Sequence, residues 1–123
     1  MRKASTARLR SRRMRFEKRV DRVIAGLNPQ VKRALSNVVI VVESAPEDGN
    51  PDQYGLYEGI PLSERTQGYT MVVPDRIVLF QDTLLEAFPA PVELDEQIRI
   101  TVLHEIGHHL GLDEDGLERI GLG

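Results

Sequence analysis

The chain has 123 residues, room for one domain, and its 41% hydrophobic and 28% charged residues match an ordinary globular protein. It contains no cysteine, which excludes a disulfide scaffold, a thiol nucleophile and any cysteine-ligated metal site. The net charge of -3 hides a split: residues 1–22 hold ten of the sixteen basic residues and two acids, so they carry +8 against -11 for the remainder.

Residues 1–15 are rich in Arg and Ser and free of acids. They read as a basic, disordered N-terminal tail ahead of a domain over residues 16–123. An arginine run without aromatic company leaves contact with nucleic acid as the lesser reading of this tail. No apolar leader segment follows it, and no run of about 18 apolar residues exists to span a membrane. A cytoplasmic protein without membrane contact is expected. From Phe16 onward, Phe16, Val20, Val23, Ile24 and Leu27 recur at helical spacing. Asn28 and Pro29 suit the cap and first turn of a short second helix over 28–36. The β-branched run at 38–42 predicts a strand buried on both faces. Residues 45–53 are rich in turn formers and acids and predict an exposed loop. Strands are expected at 54–60, 68–73 and 76–80, the last two separated by a turn at Pro74 and Asp75. Asp82 is expected to cap a helix over 83–88, ended by Pro89 and Pro91. Asp95 is expected to open the last long helix, to about Leu110. This order predicts an α+β fold, a small mixed β-sheet packed against helices.

All three histidines of the chain lie within six residues, in His104-Glu105-Ile106-Gly107-His108-His109. The first five match H-E-x-x-H. Four residues turn a helix by about 400°, so His104 and His108 project about 40° apart and one turn along the axis. Two imidazoles so placed can grip one metal ion. Glu105 lies about 100° round from His104, placed to address a metal-bound water as general base. Zinc lowers the pKa of such a water toward about 7. Ile98, Val102, Ile106 and Leu110 form an apolar stripe on the opposite face of the same helix. A catalytic zinc commonly takes three protein ligands. Gly111 can adopt the left-handed conformation that ends helices and turns the chain back. Glu114 then falls in the third-ligand position of an extended H-E-x-x-H-x-x-G-x-x-(H/D/E) pattern, with Asp113 and Asp115 as competitors. Glu118 is read as a support for a ligand histidine or as simply exposed, and His109 as a support behind the ligands or as merely structural. Among possible oxyanion donors, Tyr57, Tyr69, Arg65 and Arg76, none is singled out.

The stretch HEIGHHLGLDEDGLERIG resembles the C-terminal signature of the minimal zincin-like metallopeptidases, a small bacterial family. YGLYEGIPLSERT, VVPDRIVLF and LDEQIRITVLHEIGHHLG follow that family's order, so the resemblance covers about residues 16–122. It implies a zincin-like fold with the active-site helix near the C-terminus. It also implies one zinc ion on His104, His108 and the acid at position 114, with Glu105 as general base. The expected function is a zinc metallopeptidase, a hydrolase acting on a peptide or protein substrate. The competing reading is a zinc-stabilised regulatory or protein-binding module without turnover. No Met follows Glu114, so the Met-turn of larger metzincins is absent from the pattern.

Overall fold

In the computed structural model, which describes residues 5–59, 75–111 and 115–116, the chain opens on a long helix, α1 (Thr6–Ala25). The Ser5 side chain accepts a hydrogen bond from the Arg8 N–H and caps it. The helix therefore starts well ahead of Phe16, and residues 6–15 are its first half rather than a disordered tail. Apolar spacing could not mark that start, because only Phe16 and Val20 of the helix are fully buried. A guanidinium fixes the front half instead. Arg13 donates from Nε to Gln81 Oε1 at 2.7 Å, from Nη1 to the Val42 carbonyl at 2.8 Å and from Nη2 to Ser44 Oγ at 3.0 Å. Arg13→Ala is expected to lower unfolding stability by about 2 kcal/mol in a urea titration. Arg13→Lys is expected to recover little of it, since a point charge cannot reproduce the three-way fork.

Asn28 caps the second helix, α2 (Pro29–Ala34), accepting from the Gln30 and Val31 N–H groups, with Pro29 at its first position as the sequence predicts. A 3-10 turn (Leu35–Asn37) leads into β1 (Val38–Glu43). The sheet has three strands in the order β1-β3-β2, with β2 (Gly55–Glu58) and β3 (Asp75–Phe80). β1 runs parallel to β3, pairing Val38 with Asp75 through Glu43 with Phe80. β2 runs antiparallel, pairing Gly55 with Leu79 and Glu58 with Arg76. The expected double burial belongs to the central strand β3, where Ile77, Val78, Leu79 and Phe80 are all buried. β1 lies at one side of the described sheet, and Val39 on its outer face is 43% exposed. The strand expected at 68–73 lies outside the described residues.

Helix α3 (Gln81–Ala87) begins earlier than expected. Phe80 occupies the cap position without a side-chain bond, and Asp82 is already in the first turn. The Asp82 carboxylate sits 3.6 Å from Arg12, and its N–H donates to the Ser44 carbonyl. The last long helix, α4 (Pro91–Leu110), also starts earlier, with Pro91 rather than Asp95 in its first turn. Asp95 is inside the helix and pairs with Arg19 of α1 at 2.6 Å. α4 packs on the sheet and on α1, and it contributes Leu94, Ile98, Val102 and Ile106 to the core. The fold is α+β, as expected. Among the described residues, no helix is long and apolar enough to cross a membrane.

Candidate metal centre

The apolar stripe of α4 works as the spacing predicts: Ile98, Val102 and Ile106 are 0% exposed. Burial of that stripe turns the opposite face outward. His104 and His108 are therefore exposed, while Glu105 between them is 6% exposed. The two imidazole ring centroids are 5.0 Å apart at an interplanar angle of 60°. Glu105 Oε1 lies 3.3 Å from His108 Nδ1. A cleft of about 390 Å³ opens beside these groups, between the chain leading into β2 and α4. Gln53, Tyr54, Gly55, Thr101, His104 and Glu105 all line it.

Gly55 sets the width of this contact. A Cβ there would lie 2.5 Å from Thr101 Cγ2 and 3.1 Å from the Val78 carbonyl oxygen. The Glu105 side chain is 3.6 Å from the same point. Gly55→Ala is expected to cost about 1–3 kcal/mol of stability by overpacking, measurable by chemical denaturation.

A second group of polar side chains lies behind the histidine face. His109 is 3% exposed and its Nδ1 lies 2.7 Å from Asp75 Oδ2. The Tyr57 hydroxyl donates to the same carboxylate oxygen at 2.7 Å. Asp75 is itself 3% exposed. With Asp75 ionised and so acceptor-only, the His109 Nδ1–H would be the donor of this bond. The Tyr57 ring meets His109 edge-on at 5.9 Å and His108 at 6.4 Å. Gly59 makes room for the carboxylate. Its φ is +154°, and a Cβ there would fall 2.5 Å from Asp75 Oδ1. The sequence marks His109 as a support and Tyr57 only as one of several possible oxyanion donors, and it gives no sign of Asp75 at the site. Asp75 reads there as a turn residue after Pro74, although it is the first residue of β3. Its partner His109 is 34 positions away, a separation that no local pattern encodes. Of the oxyanion candidates, Tyr57 is committed to Asp75, while Arg76 lies 3.6 Å from both Glu43 and Glu58. Arg65 and Tyr69 lie outside the described residues.

Gly111 ends α4 in the left-handed conformation at φ 73°, and its N–H bonds back to the His108 carbonyl at 3.1 Å. Among the described residues, no group of three or more His, Asp or Glu side chains could hold a metal ion. His104 and His108 are brought together. Glu114, with Asp113 and Glu118, lies outside the described residues. Asp115 is described and exposed.

A family model for zincin-like metallopeptidases matches residues 35–123. The structure of a conserved hypothetical protein from Thermus thermophilus is similar, with a TM-score of 0.55 at 26% sequence identity. The match covers 80% of this chain and 92% of that one. No curated protein matches the chain.

Proposed function

The chain belongs to the zincin-like metallopeptidase family, and from that premise we propose that it is a zinc-dependent peptidase hydrolysing peptide bonds. His104, His108 and Glu114 hold one Zn2+ ion in this reading, and Glu105 is the general base. The observation that supports it is the paired imidazoles. Two histidines on one tetrahedral zinc hold their ring centroids about 5 Å apart, and those of His104 and His108 are 5.0 Å apart. Both rings face solvent, so a metal ion can reach them.

Zinc held there supplies a Lewis acid that polarises the scissile carbonyl and acidifies water. The protein supplies the remainder. Glu105 Oε1 lies beside His108 Nδ1, which leaves His108 Nε2 for the metal. The buried carboxylate borders the same cleft as His104. From there it accepts a proton from the attacking water and passes it to the leaving nitrogen. The cleft beside Gln53, Tyr54 and Gly55 is the place for the peptide or protein substrate. Glu114 enters as third ligand through its position three residues after the Gly111 turn, an oxygen donor that suits zinc beside two nitrogens.

Metal analysis of protein purified without added zinc tests the centre. About one zinc per chain is expected, falling to a small fraction in His104→Ala and in Glu114→Ala. A wild-type protein that takes up no stoichiometric metal would overturn the reading. Retention of zinc by Glu114→Ala would move the third ligand to Asp113 or Asp115.

A further inference from the structure

We infer that the basic flank of α1, with the groove beside it, docks an acidic protein segment that also carries apolar side chains. Arg8, Arg12, Arg15, Arg19 and Arg22 recur at steps of four and three, so they fall within about 80° of one another around the helix. The stripe runs about 21 Å along the axis and lies about 100° round from the buried Phe16 and Val20. The two acids of α1, Glu17 and Asp21, lie on the other flank. Like charges three and four residues apart oppose helix formation, so helix stability does not explain the register.

The body of the protein neutralises only part of the stripe. Arg19 pairs with Asp95 at 2.6 Å, and Arg12 lies 3.6 Å from Asp82. Arg15, Lys18 and Arg22 are exposed, and their side chains make no ion pair or hydrogen bond among the described residues. These cations border a groove of about 420 Å³ between α1 and the α3–α4 junction. Phe16 and Leu94 lie at its base, and Leu85, Pro89 and Pro91 bring apolar surface to its other side. The Arg13 fork holds α1 in place, so the groove is a fixed surface.

A basic rim facing an apolar wall of Leu85, Pro89 and Pro91 selects the occupant. Guanidinium forks bind carboxylates in pairs, and the apolar wall meets apolar side chains, which a phosphate backbone lacks. No aromatic ring is offered for a base to stack on, since Phe16 is only 4% exposed. The -11 carried by residues 23–123 repels a long polyanion more than a short acidic segment. About six or seven extended residues cover the length of the stripe. α1 precedes the segment that matches the family model, and Leu94 lies about 15 Å along α4 from His104. The docking surface is therefore independent of the metal centre and does not rest on hydrolysis.

Fluorescence anisotropy at low salt tests this with the full chain and four labelled probes: a Glu-Glu-Leu repeat peptide, a Glu-only peptide, a Lys-Lys-Leu repeat peptide and duplex DNA. The Glu-Glu-Leu peptide is expected to bind best, the Glu-only peptide more weakly, and the Lys-Lys-Leu peptide not at all. Arg15→Glu/Arg22→Glu is expected to weaken binding by about tenfold or more with an unchanged helical circular dichroism signal. Arg15→Gln/Arg22→Gln is expected to move affinity less in the same direction, and it decides the matter if the charge-reversed protein loses structure. No binding of the Glu-Glu-Leu peptide, binding indifferent to these substitutions, or equal or tighter binding of DNA would overturn the proposal. Equal binding of the Glu-only peptide would remove the apolar wall from it.

Discussion

Glu105→Gln is expected to keep its zinc and lose its hydrolysis. Gln matches Glu in shape, and its Oε1 can still face His108 Nδ1, where the carboxylate oxygen now lies 3.3 Å away. The buried volume of a side chain that is 6% exposed is preserved. What disappears is the group that takes a proton, and general-base catalysis contributes about a hundredfold to ten-thousandfold. The measurement pairs metal content with kcat/KM on a substrate found by peptide-library cleavage. Full activity in the variant would remove Glu105 from its role. A wild-type protein that holds zinc yet cleaves nothing in the library would establish a zinc-held binding module instead. The two readings diverge on turnover alone, so the pair of measurements separates them.

Asp75→Ala is expected to be among the most damaging single substitutions in the described fold. It removes a buried carboxylate and takes an acceptor from the buried His109 imidazole and the half-buried Tyr57 hydroxyl. A buried donor such as the His109 imidazole, stripped of its acceptor, costs more than the net value of the bond lost. A loss of about 3 kcal/mol is expected, a fall of roughly 10–20 °C in the thermal midpoint of a domain this size. Tyr57→Phe removes one donor and leaves the carboxylate held by His109, so about 1 kcal/mol is expected. Differential scanning calorimetry of the two variants checks both. Equal small losses would mean that the carboxylate is hydrated rather than bonded.

The parts of the structure that were legible in the sequence are those written by periodicity and caps. Ile98, Val102 and Ile106 predicted the inner face of α4, and so predicted that His104 and His108 would look outward. Asn28 and Pro29 placed the start of α2, and Gly111 the end of α4, because those residue types carry their backbone preference with them. What was not legible depends on partners distant in sequence. Asp82 and Asp95 have the composition of helix caps, but α1 recruits both to arginines, and the helices begin before them. The run from Val38 to Val42 is apolar enough for a central strand, yet pairing places β3 at the centre and β1 at the side. Asp75 became a neighbour of the site only when the fold brought His109 and Tyr57 to it. Residues 6–15 are too polar to show a core-facing stripe, and their helix depends on the Ser5 cap and the Arg13 fork.

The order of synthesis gives α4 a further meaning. The helix that carries His104, Glu105 and His108 also supplies the inner wall against which α1, α2 and the sheet close. Among the described elements it is the last to be synthesised. Until it emerges, the strands and the N-terminal helices lack the apolar wall of Leu94, Ile98, Val102 and Ile106, so the core closes only once α4 is made. The residues proposed to cut peptides thus arrive together with the core.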